Sequence, residues 1–329
     1  MKVLITGASG YIGNKLAHTL AGMGMDVHAL ARSAEAKHLL QHPNIKVFNG
    51  DILQKESLIA AMHGCRQVYH LAAKVGVWAA KPSVFYDVNV EGTRNVLNAA
   101  LQAGAEKIVV TGTCGVIGPS YNEPLDENAE RSIGYQIDYD FSKKNAEDLI
   151  LQYADKGLNA LIVSPSKVYG PGNVSHSLTT NAIINSFLKK QIGFIPYPGD
   201  YKVCFAYLDD VVAGHISAME KGRSGEKYIL GGINISYRDF FRLIRSLSSQ
   251  KGYIISLPKP VIKTWAYLQE LNYKLRGSRV RFPAKSVGHL YSNYTFSSRK
   301  AIEELNYTIT PMEEGLTKTI HFLKHQAHD

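Results

Sequence analysis

Lys2-Val-Leu-Ile-Thr6 runs straight into Gly7-Ala-Ser-Gly10-Tyr-Ile-Gly13, and this junction decides the fold. A short apolar run opens into three glycines spaced three apart, and a helical pattern follows at 14–21. The layout is that of a grip for nucleotide phosphates. Gly7 permits the tight turn out of the strand, Gly10 lets the backbone approach a pyrophosphate, and Gly13 lets the helix pack closely on the sheet. Ser9, Tyr11 and Ile12 complete the turn, where free N–H groups and the positive dipole end of the helix face the phosphates. The spacing is Gly-x-x-Gly-x-x-Gly, not the commoner Gly-x-Gly-x-x-Gly, so the loop takes its meaning from what surrounds it.

Working outward, further β-type runs fall at 26–30, 46–48, 67–71, 107–111 and 160–164, with helical patterns at 14–21, 57–62, 88–103 and 140–153. Strands alternating with amphipathic helices predict an α/β doubly wound parallel sheet of Rossmann type. The run at 227–230 reads as a late strand returning to that sheet. The expected organisation is a nucleotide-binding domain over 1–170 with a returning segment around 201–232. A smaller mixed substrate-binding lid takes 171–200 and 233–329, where Pro/Gly turns break the alternation.

The composition fits this architecture. The chain has 329 residues, 45% hydrophobic and 20% charged, enough for a substantial core. No window reaches the length of a membrane span. Residues 1–6 already read as the first strand, which leaves no room for a signal peptide. Cys65, Cys114 and Cys204 are odd in number and lack metal-type spacing, so free thiols in a reducing compartment are expected, the cytoplasm by default. The net charge is +9, of which 251–329 contributes about six, from twelve Lys/Arg against six Asp/Glu. Within that region Pro260-Val-Ile-Lys-Thr-Trp-Ala-Tyr-Leu268 is aromatic and basic together. A peripheral membrane contact is the lesser reading of it, because amphipathic helices usually pack on their own core. No nucleic-acid motif is present, and the basic residues are too scattered for a tracking groove.

In a doubly wound sheet ligands bind beyond the carboxyl ends of the strands. After the second strand, where an NAD site usually carries a carboxylate, stand Ala31 and Arg32; the Arg32 fork suits a 2′-phosphate, Lys37 adds charge, and NADP(H) is expected over NAD(H). After the third, Asp51 is placed to accept from an adenine amino group and Ile52 to pack on the ring; Asp51 as a helix cap is the other reading. After the fourth, His70 is followed by Leu71, Ala72, Ala73 and Lys74, small enough in the middle for a cofactor to lie against the backbone; His70 reads as a satisfied, partly buried side chain. The fifth ends in Thr111-Gly112-Thr113-Cys114, and Tyr139 and Lys143 share one face of the next helix. A phenol titrates near ~10; a neighbouring ammonium lowers that value and makes a proton donor usable near neutrality. Cys114 reads as small filler beside them.

Together these pieces resemble the extended short-chain dehydrogenase/reductases, the epimerase/dehydratase superfamily. The matching stretches are Thr6–Gly13, Gly50-Asp51-Ile52, His70–Ala73, Asn89-Val-Glu-Gly-Thr93, Val110–Thr113, Tyr139-x-x-x-Lys143, Ser164–Pro171, Tyr207-Leu-Asp-Asp210 and Glu226–Gly232. Lys74–Trp78 and Phe85–Thr93 are similar to the dihydroflavonol-reductase-like and 3β-hydroxysteroid-dehydrogenase-like branch. The resemblance implies that Tyr139 is the catalytic acid/base, that Lys143 lowers its pKa and holds the nicotinamide ribose, and that Thr113 bonds the reacting oxygen. It further implies that Thr111, Pro165, Ser166 and Val168 border the nicotinamide, and that Asn89 is structural. Many relatives carry Ser-Ser where this chain has Gly112-Thr113.

The expected activity is reversible reduction of a ketone by NADPH, with Thr113 and Tyr139 holding the oxygen and Tyr139 supplying the proton. The partner is a small ketone or alcohol, apolar or aromatic if Trp78, Phe85, Tyr121, Tyr135, Phe194, Tyr197, Tyr201 and Phe205 line the pocket. A nucleotide-sugar epimerase or dehydratase with retained NAD is the first alternative, and a non-catalytic NADP(H)-sensing protein the second. A monomer or homodimer is expected. His38/His42 and His321/His325/His328 lack a completing carboxylate or cysteine and read as surface, with no metal expected.

Overall fold

A computed structural model describes residues 1–33, 36–172, 180–278, 280 and 282–325. Twelve strands are present among them: β1 (Lys2–Thr6), β2 (Asp26–Ala31), β3 (Ile45–Asn49), β4 (Gln67–His70), β5 (Lys107–Thr111), β6 (Ala160–Pro165), β7 (Lys167–Tyr169), β8 (Ile192–Pro196), β9 (Lys202–Tyr207), β10 (Lys227–Leu230), β11 (Ile233–Ser236) and β12 (Tyr253–Leu257). Seven of them form one sheet in the order β10-β6-β5-β4-β1-β2-β3. Every pairing in it is parallel. The order reverses direction at β1, which opens a crevice above the carboxyl ends of β1 and β4.

The apolar run of β1 explains why it is central. Val3 and Ile5 point to one face, where they pack with Leu16 and Leu20 of the Tyr11–Gly22 helix and Val211 of the Leu208–Lys221 helix. Leu4 points to the other, among Val96, Leu97 and Ile150. All three strand residues are fully buried, as the period of two requires for a sheet covered on both sides.

The return to the large sheet is made by β10. β9, in the same stretch of chain, instead pairs with β7 and β11 in a three-stranded sheet, and β8 pairs with β12 in a separate ribbon. A third core, with Phe187, Phe205, Phe240 and Leu316, fills the space beneath these smaller sheets. Residues 173–179 of the expected lid lie outside the described residues.

Candidate active site

The loop after β1 is built from backbone. Gly7 sits at φ +74°, and a Cβ there would stand 2.6 Å from the Ala72 nitrogen. A Cβ on Gly13 would stand 2.2 Å from the Gly7 carbonyl oxygen. The helix starting at Tyr11 has no side-chain cap, so its first-turn N–H groups are left for an anion. This cradle, which side chains would fill, fits a dinucleotide pyrophosphate. Ser9 stands exposed at its rim. Tyr11 serves as a staple: its hydroxyl donates to the Gly170 carbonyl at 2.6 Å and accepts from Asn181 Nδ2 at 3.1 Å, tying the loop to the turn after β7.

At the adenine end, Arg32 is 75% exposed and its Nη1 lies 4.0 Å from Asp51 Oδ2. Asp51 Oδ1 accepts the Leu53 N–H at 3.0 Å; the helix at Lys55–Met62 begins after Gln54, so Asp51 closes a turn and caps no helix. Ile52 is buried, with its side chain against Gly92. The sequence reading puts that side chain on an adenine ring; in the structure its tip packs against Gly92. Lys37 is exposed on the short Ala36–Leu39 helix.

Between the loop and the Asp138–Asp155 helix runs a buried chain of hydrogen bonds. The Ala72 N–H donates to Thr6 Oγ1 at 3.3 Å, which lies 2.7 Å from His70 Nδ1. His70 Nε2 lies 2.9 Å from Thr93 Oγ1, and that hydroxyl donates to the Asn89 carbonyl at 2.7 Å. With the Thr93 proton committed, His70 must donate from Nε2 and accept at Nδ1. Burial pushes the ring down to about 3, so it stays neutral. Asn89 then grips the Lys74 backbone through both ends of its amide, at 2.7 and 3.1 Å, and donates to Ser142 Oγ at 2.8 Å. Leu71, Ala72 and Ala73 are half-buried along this edge, while Lys74 is held by its backbone with its side chain exposed.

Tyr139 and Lys143 lie on the Asp138–Asp155 helix, and Thr113 lies just past β5. The Thr113 hydroxyl lies near enough to the Tyr139 phenol to favour its ionised form, and it accepts the Gly115 N–H at 3.1 Å. Lys143 is buried, and its Nζ donates to the Thr111 carbonyl at 2.6 Å. Thr111 therefore acts through its carbonyl; its hydroxyl is turned to His215 Nε2 at 2.9 Å. One turn on, the buried Glu147 accepts from Lys227 Nζ of β10 at 3.1 Å. Gly112 is required by packing: a Cβ there would meet Ser164 Oγ at 2.7 Å and Glu147 Oε1 at 3.0 Å. Pro165, Ser166 and Val168 lie where β6 gives way to β7, with the Ser166 N–H bonded to the Leu230 carbonyl at 3.3 Å.

The electrostatics correct one expectation. Burial pushes the Tyr139 phenol up, and the neighbouring Asp140 adds to this, while the Thr113 hydroxyl opposes both. The Lys143 ammonium is bonded to the Thr111 carbonyl. Burial lowers Lys143 itself to about 8, against the pull of Glu147. Asp140, buried against Gly115, is raised to about 6, with Arg131 opposing.

A cavity of about 560 Å³ opens beside Asp138, walled by Trp78, Gln136, Lys263, Tyr267 and Ala284. Of the aromatic lining expected from sequence, Trp78 is there, and Tyr135 lines a neighbouring recess. Phe85 is buried behind Tyr139 and Phe205 is stacked on Phe240 at 4.2 Å; both are core. Phe194 and Tyr197 are on the outer surface. Sequence reasoning missed Arg131, Lys167 and His289. Arg131 donates to the Gly115 carbonyl at 2.6 Å and stacks on Tyr135 at 4.1 Å. His289 stacks on Tyr294 at 3.9 Å and is depressed to about 3 by burial and then by Lys167 and Arg131.

Cys65, Cys114 and Cys204 are buried free thiols; burial drives Cys114 well up, and its Sγ donates to the Ser164 carbonyl at 3.1 Å. His321 and His325 meet at 3.1 Å between their Nε2 atoms, and His328 lies outside the described residues. Among the described residues no three potential ligands converge on a metal position. No described helix is long and apolar enough to cross a membrane.

Residues 3–231 match the model of the NAD dependent epimerase/dehydratase family. A ketoreductase of Stigmatella aurantiaca acting on 4-hydroxy-2-methyl-3-oxo-4-farnesyl-3,4-dihydroquinoline-1-oxide is 28% identical, over 93% of this chain and 92% of its own. The 3beta-hydroxysteroid-dehydrogenase/decarboxylase isoform 1 of Arabidopsis thaliana is 26% identical, over 98% and 79%. The crystal structure of gox2253 superposes with a TM-score of 0.82 at 29% identity, covering 98% of both chains. A UDP-glucose 4-epimerase from Thermotoga maritima, solved with UDP-glucose, has a TM-score of 0.82 at 22% identity, covering 99% and 100%; at that identity it shows a shared fold.

Proposed function

This chain belongs to the NAD dependent epimerase/dehydratase family, and from that premise we propose that it is an NADP(H)-dependent reductase of an apolar ketone, working reversibly through Thr113, Tyr139 and Lys143. The observation that carries the reading is the meeting of these three side chains: a threonine hydroxyl beside a buried phenol, and an ammonium one helical turn away fixed on the carbonyl at the end of β5. The Gly7–Gly13 loop would hold the pyrophosphate, with Arg32 and Lys37 at the 2′-phosphate and Lys143 at the nicotinamide ribose. When bound, the cofactor supplies hydride to the carbonyl carbon. Thr113 and Tyr139 hold the oxygen as negative charge develops on it, and Tyr139 gives it a proton. A phenol kept fully protonated by burial suits the donor's part in reduction. The ketoreductase and hydroxysteroid-dehydrogenase names of two relatives support a lipophilic substrate.

The test is turnover of NADPH against NADH on a panel of polycyclic and isoprenoid ketones. Arg32→Ala removes the one exposed fork near Asp51, and about a tenfold loss of preference for NADPH is expected, since a charge-assisted hydrogen bond contributes about 1.5–3 kcal/mol. Equal use of both cofactors by the wild type refutes the assignment. The pH profile of reduction has a definite sign. The Lys143 ammonium is present below about 8 and lost above it, so kcat/KM for reduction is expected to fall on the alkaline side, by about tenfold per pH step once the limb is established. A profile flat to pH ~10 would remove the charged lysine from the mechanism.

A second reading, epimerisation of a nucleotide sugar, is supported by the family itself, whose description covers epimerases and dehydratases. Tightly retained NAD in the purified protein, with turnover of a nucleotide sugar, selects it.

A further inference from the structure

The Lys259–Arg276 helix is docked the wrong way round for a soluble protein. Its seam on the rest of the molecule is narrow: Ala266 is the one fully buried residue, Ile262 packs on the small cluster of Ala284 and Val287, Tyr273 meets the edge of Trp78, and Glu270 accepts the Ala284 N–H. Val261, Trp265, Leu268, Leu271 and Leu275 recur at helical spacing on the opposite face, and all are exposed, Leu275 by 73%. Lys274 and Arg276 lie beside this stripe near the helix end, while Lys259 and Lys263 wall the cavity together with Glu270, the only acid in the helix, which accepts the Ala284 N–H. The expectation that this segment buries its apolar face in its own core is thereby reversed.

Through Pro258 the chain passes directly from the ribbon of β8 and β12 into this helix. In the ribbon the cross-strand pairs Ile192–Tyr253 and Phe194–Ile255 are all exposed. The ribbon, with Tyr197 at its end, and the helix together hold eleven of the twenty-two large apolar side chains exposed among the described residues. So concentrated a patch marks a docking surface.

We propose that the Lys259–Arg276 helix, with the adjoining ribbon, lies in the headgroup region of an anionic membrane. Leucines and valine between aromatic and basic flanks are the composition of a helix lying in an interface. The sign of the charge selects the occupant: four cations against one acid, Glu270, whose carboxylate is engaged by the Ala284 N–H, complement anionic lipid headgroups. A second copy meeting this face across a two-fold axis would bring the same cations together. Lys259, Lys263 and Tyr267 also wall the cavity beside Asp138, so the docked helix would set the cavity beside the bilayer. That consequence for substrate delivery rests on the reductase reading; the docking does not.

The test is co-sedimentation of the full chain with phosphatidylcholine vesicles, with and without phosphatidylglycerol. Binding is expected to be at least about tenfold tighter to the anionic vesicles. Leu268→Glu/Leu271→Glu should abolish binding to both, and Lys263→Glu/Lys274→Glu should remove the anionic preference. Quenching of Trp265 fluorescence by brominated lipid, measured on the wild type and on Trp78→Phe, reads insertion without relying on the charged variants to fold. Absence of sedimentation and quenching overturns the proposal. So does a concentration-dependent dimer, split by Leu268→Glu/Leu271→Glu, in a protein that ignores vesicles.

Discussion

Tyr139→Phe is expected to lower kcat for reduction by about 10²–10⁴, the range a positioned general acid contributes, while leaving NADPH affinity within about twofold. The hydroxyl removed is the one beside Thr113, and the ring that remains still packs at the edge of Phe85, 6.4 Å between centroids. The loop that would bind the phosphates is untouched. Steady-state kinetics on the best ketone, beside NADPH fluorescence titration, separates the two effects. A phenylalanine variant with near-native turnover would mean that the proton comes from elsewhere, and the roles given to Thr113 and Lys143 would fall with it.

Gly13→Val carries the second large effect. Its Cβ would sit 2.2 Å from the Gly7 carbonyl oxygen, a backbone atom that has no rotamer with which to move aside. Either the Tyr11–Gly22 helix shifts off β1 or the Gly7 turn opens, and both deform the cradle. A loss of about 3 kcal/mol or more in urea unfolding is expected, with NADPH binding weakened by more than about a hundredfold. Gly22→Ala, at the end of the same helix with nothing within 4 Å of the added carbon, is the control; it should be neutral or stabilise by about 0.4–1 kcal/mol. Equal behaviour of the two variants would show that the close approach at Gly13 does not matter.

The parts of this molecule that the sequence discloses are those decided within a few residues. Val3, Leu4 and Ile5 announce a strand buried on both faces, and Gly7 and Gly13 announce a turn and a close approach, because each rests on local geometry. The pairing of Tyr139 with Lys143 is local in the same way, four residues apart on one helix. What those two side chains do next is not. The Thr111 carbonyl that takes the Lys143 ammonium, and the burial that raises the phenol, come from chain segments dozens of residues away.

Arg131 and His289 were hidden for the same reason: neither lies in a long periodic segment, and what surrounds them is set by the tertiary fold. Gly112 looks like a departure from a family pattern until Ser164 and Glu147 are seen pressing on it. The Lys259–Arg276 helix shows a further limit. Periodicity reveals that a helix has an apolar stripe, but it does not say whether that stripe faces the protein or the surroundings.

The His70 bridge has a consequence for how acid reaches the chemistry. It joins the β1 loop to the helix that carries the proton donor, through Thr6, Thr93 and Asn89, and its ring takes up no proton until about pH 3. Mild acidification therefore leaves that joint, and the distance it fixes, unaltered. Asp140, whose carboxyl is raised to about 6 by burial, stands next to Tyr139: mild acid removes its charge, and with it one of the influences that raise the phenol, while the His70 frame holds still.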